Sequence, residues 1–113
     1  MMEEAKEYQI VKDLHDACIK LNGKWEPTEC TIGKTKIYLS RNVRGGLDIG
    51  ILSPEAWIFI KGLKENPFVV KEDELRIELP GEDYDTIIEV DRDGFVEEEI
   101  GKDILGDVTW SIT

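Results

Sequence analysis

The sequence predicts an α+β fold: an N-terminal helix packed on an antiparallel, curved β-sheet, with a short second helix near residues 54–65. Three observations carry the prediction. Apolar residues across positions 3–22 recur with helical spacing, and from Ile37 onward they recur every second residue. The period-two segments are separated by short turns rich in Gly, Pro, Asn and Asp, which suit antiparallel neighbours.

The first helix is read over residues 3–22. Turning about 100° per residue, it gathers Tyr8, Ile10, Val11, Leu14, Ala17, Cys18, Ile19 and Leu21 on one broad arc. Lys6, Lys12, Asp13, Asp16 and Lys20 lie opposite. Asn22-Gly23 supplies the stop, with Gly23 expected in the left-handed conformation. So wide an apolar arc needs cover on more than one side, which a sheet wrapped around the helix provides. His15, the single histidine, falls inside the arc and reads as a hydrogen-bonded core residue.

After a loop containing Trp25 and Pro27, Ile37 and Leu39 alternate with Lys36, Tyr38 and Ser40. Leu47, Ile49 and Ile51 alternate with Asp48 and Gly50. Residues 41–46 between them, Arg-Asn-Val-Arg-Gly-Gly, make this a β-hairpin with a basic tip. Ser53-Pro54-Glu55 then matches a helix start, with an N-cap serine, proline at the first helical position and an acid in the first turn. A helix over 54–65 would pack Trp57, Ile60 and Leu63 and end at Asn66-Pro67. Trp57-Ile58-Phe59-Ile60 is rich in strand formers and argues for a strand instead. The cap decides for the helix.

The second half reads as antiparallel strands. Leu75, Ile77 and Leu79 alternate with charges up to the Pro80-Gly81 turn, and Tyr84 to Val90 forms the next strand. Asp91-Arg92-Asp93-Gly94 is a tight turn with Gly94 at positive φ. Phe95 to Ile100 returns as a strand or opens a helix through Leu105. Val108 to Ile112 is the last strand, and its Trp110 would sit on an edge able to pair across a homodimer.

A chain of 113 residues that is 41% hydrophobic and 35% charged suits a single domain, 1–113, with a packed core. Its longest apolar run, Ala56 to Ile60, is far too short to span a membrane. The acidic start lacks the features of a signal peptide, so the expected location is cytoplasmic. Enrichment in Ile, Lys and Glu suggests a thermophile. Cys18 and Cys30 have no CxxC spacing and read as small core side chains in a reducing compartment, with a disulfide as the lesser reading.

Charge is the best clue to partners. Residues 1–63 hold nine basic and nine acidic residues, and residues 64–113 hold five and sixteen, so the whole net charge of −11 sits in the second half. Acids dispersed over a folded scaffold imitate spaced phosphates and attract a basic partner protein over long range. The expected function is therefore a small, non-catalytic interaction protein of the inhibitor or immunity type, binding through Glu82, Asp83, Asp85, Asp91, Asp93, Glu97, Glu98 and Glu99.

Two alternatives come from other classes. In the basic hairpin, Lys34, Lys36, Arg41 and Arg44 with Tyr38 would contact phosphates and stack a base of single-stranded nucleic acid. The strand–turn–strand–helix run ending in Leu52-Ser53-Pro54-Glu55-Ala56-Trp57 loosely resembles single-strand-binding transcriptional coactivators. A calcium module would use Asp91 and Asp93 with Asp83 or Asp85. An EF-hand is excluded, because the position of its bidentate glutamate is Ile100. Zinc-ligand spacing, a nucleotide-binding fingerprint and an activated nucleophile are all missing from the pattern, so no catalytic residue and no cofactor is nominated.

Overall fold

The computed structural model describes residues 4–81 and 83–99, and the backbone of 109–112. It has one helix and two antiparallel sheets. Helix α1 (Glu4–Lys20) buries Ile10, Leu14, Ala17 and Cys18 on a single stripe. That stripe is narrower than the sequence predicts, with Tyr8 70% and Ile19 58% exposed. His15 is half-exposed rather than in the core, edge-on to Trp25 at 5.0 Å between ring centres. The helix ends in a Schellman motif, with Gly23 N–H donating to Cys18 O and Asn22 N–H to Ile19 O. Asn22, at φ 56°, takes the left-handed position that Gly23 was expected to fill. Gly23 is needed for space instead, since a Cβ there would lie 2.8 Å from Cys18 Sγ and 2.9 Å from Cys30 Sγ.

Strands β1 (Lys24–Glu26), β2 (Glu29–Ile32), β3 (Thr35–Arg41), β4 (Leu47–Leu52) and β5 (Trp57–Leu63) form a meander, and β10 (Thr109–Ile112) returns to pair with β5. The second sheet is the meander β6 (Phe68–Val70), β7 (Glu74–Leu79), β8 (Thr86–Asp91) and β9 (Val96–Glu99). Alternate residues of both sheets, such as Ile37, Ile49 and Ile60 in the first and Leu75, Ile77 and Ile88 in the second, join one core with the helix stripe. α1 touches β1 and β2 of the first sheet and β6 of the second, so it closes one open side between them.

The second helix expected over 54–65 is strand β5. The local signal is present, because Ser53 Oγ accepts a hydrogen bond from Ala56 N–H at 3.0 Å, as an N-cap would. Ser53 N–H also donates to Ala56 O at 3.0 Å, which closes a tight turn around Pro54-Glu55 and sends the chain back along β4. Pairing with β4 on one side and β10 on the other supplies backbone partners that a short helix lacks. The resemblance to single-strand-binding coactivators ends at the same point, since it required a helix after Leu52.

Two smaller expectations are revised and two are met. The Trp25–Pro27 loop is the β1–β2 hairpin, turning at Pro27-Thr28 with Thr28 at φ 64°. The strand expected from Tyr84 begins at Thr86. Phe95 to Ile100 yields the strand β9, while the helical alternative through Leu105 runs beyond the described residues. The terminal strand pairs with β5 of its own chain, with Trp110 opposite Ile60, and forms an edge of the first sheet as expected.

Cys18 and Cys30 form a disulfide, the lesser of the two sequence readings, with Cα atoms 5.7 Å apart. It fastens the last turn of α1 to β2, and both residues are fully buried.

The sheets are locked together where two turns meet. Thr35, fully buried at the start of β3, donates its hydroxyl to Gly94 O in the β8–β9 turn. Gly33 and Gly94 both have positive φ. A Cβ on Gly33 would overlap Asp93 O, and one on Gly94 would overlap Ile32 O. Only glycine at both positions lets these backbones approach so closely.

Candidate functional site

The outer face of the β6–β9 sheet carries the densest ordered charge among the described residues. Alternation sends Leu75, Ile77 and Leu79 of β7 inward, which leaves Glu74, Arg76 and Glu78 outside. On β8 the outward residues are Ile87, Glu89 and Asp91. Register places Glu97 of β9 opposite Glu89, and Glu99 opposite Ile87. Across the β7–β8 pair, Glu74 faces Asp91, Arg76 faces Glu89 and Glu78 faces Ile87. Six carboxylates, Glu74, Glu78, Glu89, Asp91, Glu97 and Glu99, therefore share one face with Arg76, and Lys71 is the other cation near Glu74. Strands lie roughly 4.8 Å apart and same-face residues roughly 7 Å apart, so the face is a lattice of negative charge.

Arg76 lies 3.8 Å from Glu89, and its Nε is buried without a hydrogen-bond partner. One guanidinium cannot neutralise so many acids. Glu74 holds its proton above the ordinary glutamate range, chiefly because its carboxyl hydrogen-bonds to Glu89, then through burial and the Glu89 charge.

The predicted partner-binding residues divide by position. Asp91, Glu97 and Glu99 belong to the acidic face. Glu98 pairs with Ile88 and so lies on the opposite face of the edge strand, where it is exposed. Asp83 and Asp85 sit in the exposed β7–β8 connection and Asp93 at the β8–β9 tip. Glu82 falls outside the described residues. Sequence reasoning missed Glu74 and Glu78, which precede the Glu82–Glu99 run on β7, and Glu89, which lies within it on β8. The usable signal was period two: these acids occupy the polar phase of strands whose apolar phase is buried.

The central residue of the alternative calcium site, Asp91, is otherwise engaged. Asp91 Oδ1 accepts hydrogen bonds from Asp93 N–H at 2.9 Å and Phe95 N–H at 3.0 Å, which shapes the turn. Among the described residues no group of three or more His, Cys, Asp or Glu side chains is placed to hold a metal ion.

The basic hairpin is also committed locally. Arg41 makes two hydrogen bonds to the Glu7 carboxylate, at 2.7 and 3.0 Å, tying the hairpin to the first turns of α1. Beside this pair is a cleft of about 530 Å³ floored by Val11, Leu39 and Leu47. Lys36 lies 3.6 Å from Glu29. Tyr38 lays its ring over Gly50. Lys34 and Arg44 are exposed at the turns that begin and end β3, at opposite ends of the strand. The five residues thus do not converge.

No family model matches this chain, and neither a curated protein nor a solved structure matches it.

Proposed function

We propose that this is a non-catalytic interaction protein whose acidic β6–β9 face engages a basic partner protein. The observation that carries the reading is the ordered set of six carboxylates with one arginine on a single sheet face. Such a surface presents negative charge at the spacing of a strand lattice and suits a groove that normally receives nucleic acid. Its field speeds encounter with a positively charged surface, and salt weakens the attraction. Charge repulsion among the acids is already present in the free protein, so a basic partner relieves it on binding. The basic hairpin and the calcium site draw less support, because Arg41, Lys36 and Asp91 have partners within the chain.

The cytoplasmic and thermophile readings now depend on each other. No helix among the described residues is long and apolar enough to cross a membrane. A buried structural disulfide is unusual in a mesophile's cytoplasm and ordinary in that of hyperthermophiles. We therefore pair a cytoplasmic location with a thermophilic source.

The test is a pull-down from source-organism lysate with wild-type protein and the triple variant Glu78→Lys, Glu97→Lys, Glu99→Lys, eluted by a salt gradient. A basic nucleic-acid-binding protein held by wild type, released at moderate salt and not retained by the variant is the expected result. Equal retention of the same protein by both would refute the reading.

A further inference from the structure

The outer face of the first sheet breaks the polar-outside alternation over a contiguous patch. Solvent-facing strand positions are normally polar, and the outward residues of β1 and β2 are: Lys24, Glu26, Glu29 and Thr31. At the centre of the sheet they are not. Tyr38 of β3, Gly50 of β4 and Phe59 of β5 form one row across the strands, and Leu52 and Trp57 pair in the next. Trp57 is 54% exposed, and Tyr38, Leu52 and Phe59 are half-buried. With Tyr38 lying on Gly50, this centre is aromatic and free of a protruding side chain at Gly50.

Its electrostatics differ from those of the second sheet. The outward residues of β1 to β5 include three lysines, Lys24, Lys36 and Lys61, and three acids, Glu26, Glu29 and Asp48, so this face is formally neutral. Lys24–Glu26 and Lys36–Glu29 pair within it, at 3.8 and 3.6 Å. Asp48 is turned to the hairpin tip, accepting from Asn42 Nδ2 and Gly62 N–H at 3.0 Å each.

We infer that this face is a homodimer interface, seated sheet to sheet on the same face of a second copy. A chain of net charge −11 repels its copy wherever acidic surfaces meet. A two-fold interface brings one patch against itself, so a patch of high net charge opposes it. The outer face of β1–β5 carries no net charge, whereas the β6–β9 face is strongly acidic. Trp57 and Phe59 supply the large aromatic anchors that dominate such contacts. A strongly charged ligand gains nothing from a surface whose charges already cancel. The inference does not depend on the acidic face having a partner, and it leaves that face exposed on both copies.

Sedimentation velocity from about 1 to 200 μM in physiological salt tests it. The expected mass is twice the 12.9 kDa of the chain. Trp57→Lys should weaken the dimer by about 30-fold or more, with an unchanged far-ultraviolet dichroism spectrum, because this side chain is already half in solvent. Trp57→Ala is the milder companion should the lysine variant unfold. Glu97→Lys with Glu99→Lys should leave dimerisation intact, and so should 1 M salt. A wild-type monomer at 200 μM would overturn the inference. So would a dimer that folded Trp57 variants leave undisturbed, since pairing would then run through another surface such as the β10 edge.

Discussion

Replacing Gly94 by alanine measures how firmly the two sheets are locked, and Gly45 provides the matched control. Residues 42–45, Asn-Val-Arg-Gly, and 91–94, Asp-Arg-Asp-Gly, build the same hairpin turn. Each opens with a side-chain oxygen that accepts the N–H groups two and four residues on, and each ends in a glycine, at φ 83° for Gly45 and 84° for Gly94. Gly45→Ala therefore reports the cost of a side chain in the left-handed region, about 1–2 kcal/mol. Gly94→Ala carries that cost and a collision as well, because the new Cβ overlaps the carbonyl oxygen of Ile32. A backbone atom cannot rotate away, so the β2–β3 turn must retreat and the Thr35 hydroxyl must leave Gly94 O. Stranding that buried acceptor adds about 1–3 kcal/mol, for a total of about 2–5 kcal/mol. Urea unfolding followed by tryptophan fluorescence resolves the difference. With a slope of about 1.5 kcal/mol per molar, Gly94→Ala should unfold on the order of 1–2 M earlier than Gly45→Ala. If the two variants agree within about 0.5 kcal/mol, the turns are not in backbone contact and the junction has been misread. Thr35→Val should reproduce the hydrogen-bond part alone.

Other outcomes follow from the same geometry. Reduction of the Cys18–Cys30 disulfide, or the double change to alanine, releases a loop with a sequence separation of 12, so stability should fall by about 3 kcal/mol; calorimetry with and without reductant checks this. Glu74 keeps its proton to higher pH in the folded chain than in the unfolded one, so its contribution is present below the ordinary glutamate range and lost as pH rises through the raised value. Glu74→Gln should flatten that stretch of the stability profile and be the more stable form at neutral pH. NMR titration of the Glu74 carboxyl should show the raised midpoint, and an ordinary one would refute the shared proton. Millimolar calcium should leave the melting temperature unchanged, because Asp91 already serves the β8–β9 turn, and a rise of several degrees would refute that account.

The segments legible in the sequence are those whose partners lie close along the chain. α1 shows its stripe at Ile10, Leu14, Ala17 and Cys18, and its stop at Asn22-Gly23. The β3–β4 hairpin and the Asp91–Gly94 turn are equally visible, since each is built by hydrogen bonds spanning a few residues. The charge asymmetry pointed to the acidic half but not to its working surface. Half of the acidic face, Glu74, Glu78 and Glu89, joins Asp91, Glu97 and Glu99 only through strand register.

Local chemistry and tertiary outcome part company most clearly at Ser53. The hydroxyl caps Ala56 N–H whether the chain goes on as helix or turns back as strand, so the sequence carries the cap but not the choice. Pairing with β4 and β10 made that choice, the latter contributed by residues some fifty positions further on. The disulfide has the same origin, because Cys18 meets Cys30 only once the end of α1 is seated against β2. By itself the sequence determined the helix, the β3–β4 hairpin, the Asp91–Gly94 turn with its glycine and the sign of the charge, all set by interactions between near neighbours. Tertiary structure decided the fate of residues 54–65, the pairing of the cysteines and the two contrasting outer faces. Each of these depends on bringing distant segments into register, which no local pattern encodes.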